Sequence, residues 1–230
     1  MDAVCGSKKY NKCKSTSYAA SKGHLECLKY IYETSKRWHP STTAKAASKG
    51  HLDCLRYVHL NGCEWHPNTT YAAAENSHLA CLEYAHLNGC VWDPQTTYIA
   101  AMNGHLDCLR YANLNGCEWH PITKYIAAMN GHLACLEYSH LNGCEWHSNE
   151  TIKAVENGHL DCLRYAHLNG AEWHPDTTYE AAIRGNLDCL KYCIEEACRF
   201  SEEDRVSLAK CQFITRKVRH YLLSVGCEYP

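Results

Sequence analysis

Apolar and polar positions follow a pattern along this chain that repeats every 27 residues. Each repeat has a short stretch of small residues around an Ala-Ala pair and a second stretch that reads His-Leu-x-Cys-Leu-x-Tyr. Between residues 52 and 60 the polar side chains are Asp53, Arg56 and His59, which fall on one edge of a helix. The pattern therefore predicts two helices per repeat, with the second buried everywhere except along that edge. The motif histidines are His24, His51, His78, His105, His132 and His159, and Asn186 takes the seventh place.

Turn residues place the helix ends within a repeat. In residues 68–94, we predict a first helix over residues 69–76 and a second over residues 79–87. Asn88-Gly89 is typical of a helix that ends in a left-handed residue. Asp93-Pro94 predicts an N-cap acceptor followed by proline at the first position of the next helix.

The fixed period organises the whole chain. A constant interval without insertions indicates one supersecondary unit stacked on copies of itself, so the expected fold is an all-α solenoid. We divide the chain into an N-terminal cap segment (residues 1–13), seven repeats (residues 14–202) and a degenerate C-terminal capping repeat (residues 203–230). Such an array is chiefly a binding surface.

Two ladders of side chains run through the repeats. One is aromatic, and each large ring is expected to cover the seam between neighbouring repeats. It consists of Trp38, Trp65, Trp92, Trp119, Trp146, Trp173 and Phe200. The second alternates in charge and predicts surface ion pairs worth about 0–1 kcal/mol each. It consists of Arg56, Glu83, Arg110, Glu137 and Arg164.

Composition narrows the possible functions. The formal net charge of −2 argues against a general nucleic-acid binder, and no apolar run is long enough to span a bilayer. The first residues lack a signal-peptide pattern. Seven of the 17 cysteines form a ladder, and equivalent atoms of packed helices lie about 8–10 Å apart, whereas a disulfide needs Cα atoms within about 7 Å. We therefore expect reduced thiols in a monomeric, intracellular, cytoplasmic protein.

The repeat resembles the ankyrin repeat. Its pattern is Thr-Thr-Tyr-x-Ala-Ala-x-x-Gly-His-Leu-x-Cys-Leu-x-Tyr-x-x-x-x-Gly-Cys-x-Trp, in which Ala-Ala, Gly-His-Leu and the later glycine fall in the family's order. The resemblance covers residues 14–202 and implies a helix-turn-helix solenoid that binds a protein partner on the concave face of its first helices. The ankyrin unit has about 33 residues. This repeat is shorter where the β-hairpin finger belongs, so shortened or absent fingers are expected.

The repeats are also similar to short Gly-Cys-x-Trp repeats of giant DNA viruses and some unicellular eukaryotes. That similarity makes a viral protein that engages a host factor, in the cytoplasm of the host cell, one interpretation of the function. The resemblance implies no cofactor.

Two positions beside the Ala-Ala pair change from repeat to repeat while the framework stays constant. They predict an apolar cluster of Met102, Met129, Ile99 and Ile126, flanked by Glu75 and Glu156. An apolar patch with a polar rim is typical of a partner site. The isoleucines have an alternative interpretation as core residues, because their position is usually buried in ankyrin-like folds.

The hypotheses that compete with partner binding rest on the cysteines and histidines. Cys63-x-x-His66, Cys117-x-x-His120 and Cys144-x-x-His147 have a spacing found in metal sites, but Cys90 pairs with Asp93 and Ala171 with His174 in other repeats. We therefore predict no metal site. The motif histidines are expected to bond local backbone, and the tyrosines of the motif to pack in the core. No constellation unique to one repeat suggests an enzyme. The alternatives to partner binding are a Cys/His-rich metal-binding or redox-responsive protein and a structural spacer.

Overall fold

The computed structural model describes residues 13–147, 149–196, 208 and 214–226, and the described residues fall into two compact units. The first unit ends at His120 and the second begins at Pro121. Most of both predicted caps, together with Phe200, lies outside the described residues. The regular elements of the described residues are all α-helices, without a β-strand, in agreement with the predicted all-α fold with shortened or absent fingers.

In the first unit, each repeat contributes an inner helix with the Ala-Ala pair and an outer helix with the Cys-Leu pair. The helices are α1 (Thr16–Ser21), α2 (Leu25–Ser35), α3 (Thr42–Ser48), α4 (Leu52–Leu60), α5 (Thr69–Glu75), α6 (Leu79–Leu87), α7 (Thr96–Met102) and α8 (Leu106–Leu114).

The second unit repeats the same arrangement. Its helices are α9 (Thr123–Met129), α10 (Leu133–Leu141), α11 (Glu150–Glu156), α12 (Leu160–Leu168), α13 (Thr177–Arg184), α14 (Leu187–Glu195) and α15 (Arg216–Ser224). In the described part of the chain, no helix has both the length and the apolar character that crossing a bilayer requires.

Inner helices supply most of the packing between neighbouring repeats within a unit. Ala46 and Ala47 are fully buried, and their small side chains allow α3 to approach α1 and α5. The outer helix adds a cysteine, a leucine and in most repeats a third residue to the core, such as Cys54, Leu55 and Val58 in α4. The predicted burial of the outer helix is wrong at its last residue. The final leucines are exposed: Leu60, Leu87, Leu114, Leu141 and Leu168.

Buried threonines join the inner helices of neighbouring repeats. The hydroxyl of Thr69 donates to Thr43 Oγ1 at 3.2 Å, and Thr43 Oγ1 also accepts from the backbone N–H of His66 at 2.9 Å. Equivalent pairs join Thr16 to Thr42, Thr70 to Thr96 and Thr151 to Thr177. Each threonine pair, called a seam below, links one repeat to the next. Its first hydroxyl also accepts a hydrogen bond from a backbone N–H in the segment that connects the two repeats.

The inner helices begin two residues later than Asp93-Pro94 predicts. Helix α7 begins at Thr96, and Asp93 Oδ1 accepts from the backbone N–H of Gln95 at 2.8 Å. In the preceding repeat His66 Nδ1 accepts from the N–H of Asn68 at 3.2 Å. The side chain before the proline therefore caps a turn that leads into the helix.

Glycine ends most inner helices because two constraints coincide there. Gly50 has φ +69°, and a Cβ at this residue would lie 2.6 Å from Nδ1 of His78 in the next repeat. Ser77 occupies the same place one repeat later with φ +62°. A non-glycine residue in the left-handed region costs about 1–2 kcal/mol.

We therefore predict opposite effects for a reciprocal pair of substitutions. Ser77→Gly should raise the free energy of unfolding by about 1 kcal/mol, because it removes the strain of φ +62°. Gly50→Ser should lower that free energy by at least as much, since it adds the strain and crowds His78. Urea denaturation followed by far-UV circular dichroism measures both. A loss of stability in Ser77→Gly would contradict the assignment.

Candidate functional site

The exposed face of the inner helices in the first unit carries the positions that differ between repeats. Lys45 and Glu75 are exposed, and Met102 is 36% exposed. Tyr71 and Tyr98 are half-buried on the same helices. Burial, followed by the negative charge of Glu75, raises the pKa of the Tyr71 hydroxyl above its ordinary value, so this hydroxyl stays protonated and can donate a hydrogen bond.

Asparagines at the helix ends position this face. Asn76 Nδ2 donates to Ser48 Oγ at 3.4 Å and to Glu75 Oε2 at 3.3 Å. Asn103 Nδ2 donates to the carbonyl oxygen of Glu75 at 3.3 Å. The Glu75 carboxylate is therefore held at an exposed edge between repeats, close to the end of α7 that carries Met102.

The second unit presents the equivalent positions differently. Met129 is half-buried, and Glu156 accepts from Lys153 Nζ at 2.7 Å in an ion pair. The hydrogen bond to Glu156 raises the pKa of Lys153 above its ordinary value. A second ion pair joins Arg184 to Glu180 at 3.1 Å. Charge on this face is largely paired, so Glu156 is less available to a partner than Glu75.

The two isoleucines lie in the core. Ile99 is 4% exposed and Ile126 is 6% exposed, as the alternative interpretation of that position requires. Met102 and Glu75 share the first unit, whereas Met129 and Glu156 share the second. The predicted site residues that lie outside the core are Met102 and Glu75 in one unit, and Met129 and Glu156 in the other.

A buried pair of charged residues was not identified from the sequence. Lys124 and Glu150 stand where the Thr-Thr seam is expected, and Lys124 is only 1% exposed. The Nζ of Lys124 lies 3.7 Å from the centroid of the Trp146 ring, a cation–π contact. Glu150 Oε1 accepts from the N–H of His147 at 2.7 Å, which replaces the threonine acceptor that Lys124 cannot supply. The signal was visible as two exceptions 26 residues apart, the same separation as every Thr-Thr seam.

Burial disfavours the charged form of both side chains. Burial lowers the pKa of Lys124 below its ordinary value of 10.5 and raises that of Glu150 above its ordinary value of 4.5. Lys124 Nζ and Glu150 Oε2 have no hydrogen-bond partner among the described residues. In place of a hydroxyl–hydroxyl bond, this seam has the contact of Lys124 with the tryptophan ring and the hydrogen bond from His147 to Glu150.

The tryptophans of the aromatic ladder cover the boundary between the outer helices of neighbouring repeats, as predicted. Trp65 Nε1 donates to the carbonyl oxygen of Asn88 in the next repeat at 3.0 Å, and its ring stacks on His59 with centroids 4.6 Å apart. The same histidine bonds the hydroxyl of Tyr84 through Nδ1 at 3.0 Å. The prediction of a core tyrosine ladder is wrong for exposed Tyr30 and for the half-buried motif tyrosines, and holds only for buried Tyr192. The half-buried ones are Tyr57, Tyr84, Tyr111, Tyr138 and Tyr165.

Two further predictions need correction. Among the described residues, no ion pair joins Arg56 or Arg164 to a glutamate of the alternating charge ladder; Arg56 lies 5.5 Å from the Tyr84 ring centroid and Arg164 lies 5.2 Å from that of Tyr192. The motif histidines bond beyond their own turn, since His105 Nε2 lies 3.2 Å from the carbonyl oxygen of Glu75 in the preceding repeat. Both residue types link neighbouring repeats.

The Cys-x-x-His pairs have other roles or neighbours in the described residues. No such pair belongs to a group of three potential ligands there, and His66 Nδ1 serves as a turn acceptor. Burial raises the pKa of Cys63, Cys90 and Cys117 to about 11, and that of Cys108 to about 12. Such thiols are protonated at neutral pH and react slowly, which argues against a redox-responsive ladder.

Comparison with known proteins agrees with this architecture. No family model matches the chain, and no curated protein matches its sequence. Among solved structures, the chain is similar to the human ASB11 ankyrin repeat domain, with a TM-score of 0.59 and 17% sequence identity. The similarity covers 68% of this chain and 84% of that one. The helix-turn-helix repeats of this chain therefore have the ankyrin-repeat fold, in a form with 27 residues per repeat.

Proposed function

We propose that the protein is a non-enzymatic interaction module that binds a protein partner through the exposed face of its inner helices. The observation that supports this proposal is the location of sequence variation. Lys45, Glu75 and Met102 are exposed on the inner helices at positions that change character between repeats, whereas the neighbouring Ala-Ala pair is fully buried and is altered in only one of the seven repeats, at Val155.

Exposure alone does not account for that variation. The last residue of the outer helix is also exposed, yet it is leucine in five consecutive repeats, and an Asn-Gly turn follows it each time. The inner face instead combines a flexible thioether, two tyrosines and a carboxylate within one unit. Methionine and tyrosine are enriched in protein interfaces, and a rim carboxylate favours a partner with a basic side chain.

The proposal includes an intracellular partner. The ladder spacing of the cysteines excludes pairing within a ladder and favours a reducing compartment. The similarity to viral repeats makes a host protein one candidate for that partner.

We expect Met102→Glu to abolish partner capture while leaving the fold intact. The substitution places a second carboxylate close to Glu75 and removes the apolar contact, whereas a partly exposed side chain contributes little to stability. Proteins captured from a eukaryotic cell lysate on immobilised wild-type protein are quantified by mass spectrometry against the variant. The melting temperature of each protein is recorded in parallel.

Leu114→Glu provides the matched control, because Leu114 is an exposed apolar residue on the outer helix of the same repeat. Wild type and Leu114→Glu should capture the same proteins. Capture that survives Met102→Glu but is lost in Leu114→Glu would place binding on the outer helices. Met129→Glu tests the corresponding position of the second unit in the same assay.

A further inference from the structure

Three potential metal ligands meet at the amino-terminal end of the described residues. Cys13 Sγ lies 3.3 Å from His24 Nδ1, and Cys27 Sγ completes a group whose donor atoms all lie within 4.8 Å of one another. Both cysteines are buried and His24 is half-buried. No other group of three His, Cys, Asp or Glu residues with this spacing occurs in the part of the chain that the structure describes.

The third donor is particular to this repeat. His24 and Cys27 belong to the recurring motif, and the same pair recurs as His51 with Cys54. Cys13 stands where other repeats have proline or, once, serine. Those residues are Pro40, Pro67, Pro94, Pro121, Ser148 and Pro175. The chain thus contains an internal control, in which the same histidine and cysteine occur without a third ligand.

The donor set suits zinc. Zn²⁺ takes thiolate sulfur at about 2.3 Å and imidazole nitrogen at about 2.0–2.1 Å, so tetrahedral ligands lie roughly 3.5–3.8 Å apart. The contact between Cys13 and His24 is already close to that spacing. Two thiolates with one imidazole favour zinc over magnesium or calcium, which prefer oxygen ligands.

We propose that Cys13, His24 and Cys27 bind one zinc ion, with water in the fourth tetrahedral position. A groove of about 590 Å³ reaches this site, and it is lined by His24 and Cys27 together with Gly50 and His51 of the next repeat. The groove gives water access to the metal. Binding releases the two thiol protons, so the affinity falls as the pH is lowered.

The site joins the segment before α1 to the start of α2. Cys13 precedes that helix, whereas His24 is the N-cap of α2 and Cys27 lies in its first turn. A metal bound here would link the segment before α1 to the start of the outer helix α2. Because a metal bound by the folded chain stabilises it, the zinc ion is expected to stabilise this repeat.

Zinc content and cobalt spectroscopy of the full chain test the proposal. Protein prepared with zinc under reducing conditions and then desalted should retain about one zinc per chain by elemental mass spectrometry. Cobalt substitution should give thiolate-to-metal charge-transfer bands and the visible bands of a tetrahedral ion. Cys13→Ser should lose the metal, with a weakening beyond the roughly 10–100-fold cost of removing an outer-shell partner.

Cys81→Ser and His78→Ala are the matched controls, because they change the same motif where Pro67 replaces the third ligand and lie outside the groove. Both should retain one zinc, whereas His24→Ala should lose it. Circular dichroism verifies that each variant is folded, and the melting temperature should rise with zinc only where Cys13 and His24 are present.

Two outcomes would overturn the proposal. One is a wild-type chain that retains no zinc, including the case in which an intact mass reveals a disulfide between Cys13 and Cys27. The other is a Cys13→Ser variant that is folded and keeps its full zinc content and cobalt spectrum, which would assign the metal to other cysteines. Neither outcome bears on the inner-helix face around Met102.

Discussion

Glu150→Thr is expected to lower the free energy of unfolding by about 3–5 kcal/mol, the typical cost of removing one member of a buried charge pair. The variant leaves the buried Lys124 ammonium without the carboxylate that opposes it across the seam. It also removes the acceptor at 2.7 Å from the N–H of His147. Lys124→Thr is expected to destabilise for the converse reason, since a buried carboxylate then lacks a cation.

The double variant Lys124→Thr/Glu150→Thr should be at least as stable as the wild type. It recreates the Thr-Thr seam found at Thr43–Thr69 and Thr70–Thr96, and replacing two oppositely charged buried side chains is often neutral or stabilising by about 1–4 kcal/mol. Urea denaturation of the four proteins gives a double-mutant cycle.

Thr69→Ala supplies a control at an ordinary seam. It removes one hydroxyl and should cost about 0.5–1.5 kcal/mol. If the double variant loses as much stability as the two single variants together, the two side chains are not coupled.

The same comparison should depend on pH. Between the lowered pKa of Lys124 and 10.5, the unfolded chain binds more protons than the folded one, so wild-type stability rises with pH across that window. Between 4.5 and the raised pKa of Glu150, the folded chain binds more protons, so stability falls as pH rises. The advantage of the double variant should therefore be largest between the two windows and shrink on either side. A pH-independent difference would contradict the buried charges.

Leu109→Ala is expected to lower the free energy of unfolding by about 2–5 kcal/mol, whereas Leu114→Ala should change it by less than about 0.5 kcal/mol. Both leucines belong to α8 and both look apolar in the sequence. Leu109 is fully buried, and its truncation leaves a cavity that the close-packed inner helices cannot fill. Leu114 is 74% exposed, so its truncation removes little packing.

Urea denaturation measures both leucine variants at the same protein concentration and temperature. Comparable losses would mean that the end of α8 is packed in solution, either against another part of the chain or against a second molecule. Thermal unfolding should give the same order, with the melting temperature of Leu109→Ala well below that of the other two proteins.

The sequence predicts the local structure of each repeat well, because the residues that begin and end a helix act on their immediate neighbours in the chain. Helices α5 and α6 begin at Thr69 and Leu79 as expected, and Gly50 ends its helix with positive φ. The start of α7 was misplaced because Asp93 caps a turn before the helix rather than the helix itself.

Contacts between repeats were harder to predict. Hydrophobicity alone could not separate Leu109 from Leu114, because burial depends on which neighbouring helix faces each residue. Charge alternation suggested ion pairs, yet Arg56 reaches the ring of Tyr84 in the next repeat. The sequence identified the variable positions of the candidate partner face but not which of them are exposed. The burial of Ile99, for example, depends on the packing of adjacent inner helices.

The seams also bear on how such a gene gains and loses copies of its unit. Where threonine meets threonine, as at Thr16–Thr42 and Thr43–Thr69, in-frame excision of one 27-residue copy rejoins identical surfaces. Excision of residues 149–175 would instead bring Lys124 against Thr177. Recombination is therefore expected to keep the copies that carry Lys124 and Glu150 together as one inherited block.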